Sequence, residues 1–286
     1  RYVVFASLAT NLIDLNNDNV PDTDNNATFD VFVRDLVTDR TTLVNVNLAG
    51  TGNSNQIAIR PTISDDGRYV SFLSQASNLV SSVTNTNNRH AYVRDLVTNT
   101  TVLASVRSDG TPFGAWTDYA VLSGDGTAIA FTSAGNGVPN DTNNANDVYL
   151  RKLTTNTTTL VSVNATNTGA GNAGSSANPD MFPSISGDGR YVAFTSAASD
   201  LTTLPDTNGT NDVFLRDLLE GSTTLISINP TRTGSANGAS DFAALNRFGT
   251  VVAFSSEATN IVSNDTNNAR DVFFYRNAAP VAIPDT

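Results

Sequence analysis

Four stretches of this sequence carry oxygen-bearing side chains at spacings that suit a hard cation. Three share one text: Asp141-Thr-Asn-Asn-Ala-Asn-Asp147, Asp206-Thr-Asn-Gly-Thr-Asn-Asp212 and Asp265-Thr-Asn-Asn-Ala-Arg-Asp271. The fourth is longer and more acidic. It runs Asp14-Leu-Asn-Asn-Asp-Asn-Val-Pro-Asp-Thr-Asp24 and closes at Asp30. Ca2+ takes roughly six to eight oxygens at about 2.3–2.6 Å, from carboxylates, amide oxygens and carbonyls. An Asp-x-Asn alternation in a tight loop turns several such oxygens inward, and the closing Asp arrives at the mouth of the next strand. The expected side-chain ligands are Asp141, Asn143 and Asp147; Asp206, Asn208 and Asp212; Asp265, Asn267 and Asp271; and, in the long loop, Asp14, Asn16, Asp18, Asp22, Asp24 and Asp30. Carbonyls and water complete each shell, with one ion per loop. The competing reading makes the same residues Asx-turns, with the last Asp starting a strand or pairing with Arg. A related loop, Asn85-Thr-Asn-Asn-Arg-His90, has no carboxylate, and no ion is expected there.

Other chemistry is thinly represented. There is no cysteine and one histidine, so thiolate sites and a His-rich zinc site are excluded. No Gly-x-Ser-x-Gly elbow occurs. His90, the one candidate base, reads as a surface loop residue. Glycosidase chemistry needs only two carboxylates, and Asp118, Asp180 and Asp241 stand near the starts of apolar runs. Trp116, Tyr119 and Phe182 lie close to them in sequence. Asn26, Asn156 and Asn164 open Asn-x-Thr sequons, which permit glycosylation without implying it.

The net charge is −11 with a pI near 4.3, and Lys152 is the only lysine. Such a surface repels nucleic-acid phosphates and anionic lipid, so neither is an expected partner. No apolar run approaches the roughly 20 residues that span a bilayer, so no membrane insertion is expected. Hydrophobic residues make up 39 % of the chain, enough for a core. The polar remainder is rich in Asn, Thr, Ser, Asp and Gly, which form turns and are poor helix formers.

The elements that position the acidic loops repeat. Arg1-Tyr-Val-Val-Phe returns as Arg68-Tyr-Val-Ser-Phe and Arg190-Tyr-Val-Ala-Phe, with weaker copies at Thr127 and Thr250. The four later copies each follow an apolar run and, in three cases, an Asp-Gly turn, as in Gly187-Asp-Gly. That pattern signals a hairpin because glycine accepts positive φ. A third run follows the acidic loop, Asp212-Val-Phe-Leu-Arg-Asp in its fullest form, and a fourth is typified by Leu225-Ile-Ser-Ile. Four strands in about 60 residues, the second of them apolar on both faces, predict an all-β protein: a β-propeller of about five four-stranded antiparallel blades. The end blades are incomplete, because the text opens at a second strand and closes at a third.

The run from Pro183-Ser-Ile-Ser-Gly-Asp-Gly-Arg-Tyr-Val-Ala-Phe to Asp206-Thr-Asn-Gly-Thr-Asn-Asp-Val-Phe-Leu-Arg-Asp resembles the WD-repeat-like blades of TolB-type propellers, in the Asp-Thr-Asn-rich version found in bacterial extracellular proteins. The resemblance covers nearly the whole chain. It implies a propeller over 1–276, with repeats near 1–66, 67–125, 126–188, 189–249 and 250–276. Residues 277–286 read as a linker or exchanged edge strand, or as the start of an Ig- or cadherin-like module. It further implies a bacterial extracellular or cell-surface location. The expected role is a non-catalytic scaffold or assembly subunit whose partners are proteins or glycans. A carbohydrate-binding or carbohydrate-cleaving propeller that uses its axial funnel is the alternative, favoured by a cluster of aromatics with carboxylates there and disfavoured by a plug of small residues.

Overall fold

The computed structural model describes residues 1–12, 24, 26–176, 181–263 and 265–277. Among these residues eighteen strands form five antiparallel sheets in chain order. The first sheet holds β1 (Tyr2–Ser7), β2 (Asp30–Asp35) and β3 (Arg40–Leu43). The second holds β4 (Ala58–Ile63), β5 (Tyr69–Ser74), β6 (His90–Asp95) and β7 (Thr100–Leu103). The third holds β8 (Thr117–Leu122), β9 (Ala128–Ser133), β10 (Asp147–Lys152) and β11 (Thr157–Leu160). The fourth holds β12 (Ser184–Ile185), β13 (Tyr191–Ser196), β14 (Asp212–Asp217) and β15 (Ser222–Leu225). The fifth holds β16 (Ser240–Leu245), β17 (Val251–Ser256) and β18 (Asp271–Arg276). These are the expected blades, three complete and two with three strands among the described residues.

Each blade is built on one cross-strand pair of rings between its second and third strands. The pairs are Phe5–Phe32, Phe72–Tyr92, Phe131–Tyr149, Phe194–Phe214 and Phe254–Phe273, with centroids 5.6–5.8 Å apart. Such pairs hold register as well as burying area. The opposite face of the third strand carries Val, Leu or Ala in the first four blades, and Val272 and Phe274 in the fifth. Blades stack by laying that aliphatic face on the aromatic face of the next. Val31 and Val33 meet Phe72 and Tyr92, Ala91 and Val93 meet Phe131 and Tyr149, and Val148 and Leu150 meet Phe194 and Phe214. Burial on both faces is why β9 and β13 read as unbroken apolar runs.

The Asp-Gly turns have a second task. Gly67, Gly126 and Gly249 sit at positive φ directly under the rings of Tyr2, Tyr69 and Tyr191 of the preceding blade. A Cβ at these glycines would fall 2.1–2.3 Å from a ring atom, so only glycine lets the blades close up. The turns also link the inner strands around the centre. Asp65 N–H donates to Gly124 O (2.8 Å), Asp125 N–H to Gly187 O (2.8 Å) and Gly187 N–H to Arg247 O (2.6 Å).

Candidate metal centre

The closing aspartates open the third strands, as the spacing predicts. Asp147 and Asp212 are fully buried at the first positions of β10 and β14, and Asp30 is buried at the start of β2. A residue on the fourth strand's far side reads each of them. In the third blade Ser162 Oγ accepts from Val148 N–H (3.0 Å) and donates to Asp147 Oδ1 (2.6 Å). In the fourth, Ser227 Oγ accepts from Val213 N–H (3.0 Å) and donates to Asp212 Oδ1 (2.5 Å).

Asp141 is brought against Asp147. It is buried, receives the Tyr149 hydroxyl on Oδ2, and has no hydrogen-bond partner on Oδ1. Asp147 Oδ2 is likewise buried without a partner. Tyr149 has a single hydroxyl proton for two acceptors, Asp141 and the Gly135 carbonyl (2.9 Å). This pocket therefore holds more acceptors than donors. Burial pushes the Asp147 carboxyl up to about 7, and the neighbouring Asp141 charge adds to the shift. Asp212 is raised in the same way, by burial first and then by Asp206. Asp206 receives Ser235 Oγ (3.0 Å). In the fifth blade both oxygens of Asp265 are buried without a partner. Among the described residues, no loop gathers three or more acidic or histidine side chains into one cluster.

The asparagines stand in turns. Asn143 Oδ1 accepts from Ala145 N–H (2.8 Å), and its amide donates to Gly171 O (2.9 Å). Asn208 repeats this with Thr210 and Ala236, and also donates to Asp212 Oδ2 (2.9 Å). Asn267 Oδ1 accepts from Ala269 N–H and its amide donates to Asp271. The asparagines thus tie the loop to the blade and shape it.

In the first blade asparagine amides meet the closing aspartate. At the Ser162 position it has Asn45, whose Oδ1 accepts from Val31 N–H and whose amide donates to Asp30 Oδ1. Asn53 donates to Asp30 Oδ2 and to Asp24 Oδ1, both at 2.8 Å. Asn26 also donates to Asp30 (3.2 Å). Neither Asn45 nor Asn53 lies in an Asp-Thr-Asn text, so only comparison of the fourth strands would have found them in the sequence. Asp14, Asn16, Asp18 and Asp22 lie outside the described residues. In the second blade His90 takes the aspartate's place. It is buried at the start of β6 with Ser105 Oγ 3.4 Å from Nδ1, not a surface loop residue, and burial lowers its pKa to about 4. The loop-and-strand pattern that places an aspartate there in the other blades carries His90 inward.

The axial residues divide between the two ends of the inner strands. At the turn end, Gly124 lies against Asp65 and Gly187, and Arg247 reaches Asp65 at 3.0 Å. At the other end, Arg60 lies 4.2 Å over the Tyr119 ring, and Tyr119 packs edge-on to Phe182 with centroids 4.4 Å apart. Trp116 and Phe182 are exposed. The carboxylates proposed for glycan chemistry are taken: Asp118 pairs with Arg89 (3.0 Å), and Asp241 pairs with Arg270. Asp180 lies outside the described residues. The third-strand arginines are structural, but not as partners of the following aspartates. Arg34, Arg94, Arg151 and Arg216 bond Thr41, Thr101, Thr158 and Thr223 of the fourth strand. Asp35, Asp95 and Asp217 instead take two-pronged bonds from Arg1, Arg68 and Arg190, which open the second strands.

No family model matches the chain, and no curated protein matches it. Solved structures do. TolB from Acinetobacter baumannii aligns over 87 % of this chain and 46 % of its own, at 14 % identity and a TM-score of 0.48. A putative TolB from Agrobacterium tumefaciens aligns over 86 % and 69 %, at 17 % identity and 0.45. The β-propeller domain of the Trilobed protease from Pyrococcus furiosus, described as having an open velcro topology, aligns over 88 % and 62 %, at 9 % identity and 0.47. The chain thus spans about half the length of the first of these. The propeller assignment rests on the five sheets themselves.

Proposed function

We propose that this chain is a non-catalytic propeller of the cell exterior, a scaffold or assembly subunit whose acidic loops are held by Ca2+. The observation that carries the reading is the buried Asp141–Asp147 pair, in which each carboxylate keeps one oxygen without a donor. Uncompensated charge of that kind is expensive in a protein interior. A divalent cation would satisfy both free oxygens, with carbonyls and water filling the rest of the shell. The fifth blade adds Asp265, both of whose oxygens are buried without a partner, while the Asp206–Asp212 pair of the fourth blade repeats the spacing with Asp212 already met by Ser227 and Asn208. Calcium is abundant outside cells, where loops set by the ion would gain stability by mass action.

The axial residues support the scaffold over the glycosidase. Asp118 and Asp241 are neutralised by arginines, and glycines with an Asp65–Arg247 bridge fill the turn end. Glycan binding on the exposed Trp116 and Phe182 rings is the second reading, and the partner is then a surface glycan in place of a protein.

Terbium is the direct probe, because it takes calcium sites and emits when a nearby aromatic ring is excited. Tyr149 donates to Asp141 and so sits at the third-blade site. Emission should appear on titrating Tb3+, should fall on adding Ca2+, and should drop in Tyr149→Phe. Absence of sensitised emission at micromolar Tb3+ would remove the calcium reading.

A further inference from the structure

Four of the five aliphatic blade faces are covered by the next blade. Val31 and Val33, Ala91 and Val93, Val148 and Leu150, and Val213 and Leu215 are all 0–5 % exposed. The residues at the same positions of the fifth blade are Val272 and Phe274 on β18, and they are 80 % and 67 % exposed. Both pairings fix the equivalence: Phe254 lies opposite Phe273 as Phe194 lies opposite Phe214, and Ser255 lies opposite Val272 as Thr195 lies opposite Val213. Phe242 and Phe248 add further exposed apolar surface to this blade. Val272 and Phe274 stand two apart on one face of β18, and an exposed apolar face of this kind marks an interface.

The geometry points to one occupant: a further four-stranded blade of the same repeat text, seated on β17 and β18. Four blade–blade contacts within the chain define what such a face accepts. It takes an aromatic pair between a second and third strand, an inner strand, and a turn glycine over the first residue of the preceding second strand. On the fifth blade that residue is Val251, aligned with Tyr191, which covers Gly249. A second copy of this chain offers a poor seat. Its first blade has no inner strand among the described residues. An edge strand with an apolar face left open invites uncontrolled pairing, so a covering blade also removes a hazard.

The test extends the chain in register. Asn277 N–H bonds Thr250 O as Leu218 N–H bonds Arg190 O. Residues 1–276 followed by a second copy of residues 218–276 would therefore complete the fifth blade with β15 and add the first three strands, β16–β18, of a sixth. The extended chain should remain monomeric and melt roughly 5 °C or more above the 286-residue chain, since repeat interfaces add stability. Phe274→Asp in the first copy should leave the melting of the 286-residue chain unchanged but remove most of the gain in the extended chain. An apolar dye should bind the 286-residue chain and be lost in its Val272→Asp/Phe274→Asp variant. An extension that is insoluble or adds no stability overturns the proposal. So does concentration-dependent self-association of the 286-residue chain that Phe274→Asp abolishes, which would make a second copy the occupant.

Discussion

Asp141 and Asp147 meet at the mouth of β10 with half of their oxygens satisfied, Asp141 by the Tyr149 hydroxyl and Asp147 by Ser162 Oγ, and with the other half buried and unpaired. The same pocket position is filled by asparagine amides in the first blade and by a neutral histidine in the second. Three chemistries thus serve one place in a repeated fold.

Asp147→Asn and Asp212→Asn should separate charge from packing. Asp147→Asn removes a buried carboxylate with an undonated oxygen and should melt at or above the wild type in chelator, whereas Asp212→Asn sets an amide against the Asn208 amide and should melt at or below it. With Ca2+ each should lose a large part of the calcium-induced rise, and the double variant most of it. Differential scanning calorimetry in both buffers reads this. Destabilisation of Asp147→Asn in chelator would mean its carboxylate is satisfied without an ion.

The raised Asp147 carboxyl sets a sign for pH dependence. Its folded pKa, about 7, lies above the ordinary carboxylate value, so the native state binds more protons than the unfolded one in between. In chelator, stability should therefore fall as pH rises from about 4 through 7. Ca2+ should abolish that fall by holding the carboxylates charged, and its affinity should increase with pH. His90 works in the opposite direction: its folded pKa of about 4 makes stability fall as pH drops below about 6.5. His90→Asn should remove that acid-side loss. Thermal melts at half-unit pH steps distinguish the two groups.

Asn53→Ala should turn the first blade into a cation-dependent one. It deletes the amide that bridges Asp24 and Asp30, which leaves Asp30 Oδ2 without that donor at a cost of about 1–3 kcal/mol. The loss should be seen in chelator and should shrink in Ca2+. A variant as stable as the wild type in chelator would show that the asparagine carries none of this work.

Gly126→Ala tests blade stacking independently of the loops. The glycine has φ of 73°, and a Cβ would stand 2.3 Å from the Tyr69 ring. Positive φ and overpacking together should cost about 2–4 kcal/mol. Tyr69→Ala in the same background should recover part of it.

Much of this was legible in the sequence because the repeat is written in strand-length runs. Burial on both faces makes the second strand uniformly apolar, and the Asp-Gly turns demand glycine, so blade number and order followed from the text. The acidic loops were legible as carboxylate pairs, but not the division of labour within them. Asn143 and Asn208 share the spacing of ligands, yet their oxygens answer backbone N–H groups two residues on. Asn45, Ser162 and Ser227 were hidden because their role depends on the register of the fourth strand, far from the loop in sequence. His90 was misread for the same reason: its place is fixed by β6 starting there, not by the loop it follows.

Thermal unfolding in saturating Ca2+ and in chelator, at fixed ionic strength, tests the central claim most directly. At a hundredfold excess over Kd each independent site should add about 2.7 kcal/mol, a rise of roughly 5–10 °C for a domain of this size. A calcium-specific rise of that order, absent with Mg2+ at the same concentration and reduced in Asp147→Asn, is the predicted result. Identical melts in the two buffers would contradict it and would make the acidic loops hydrogen-bonded turns alone.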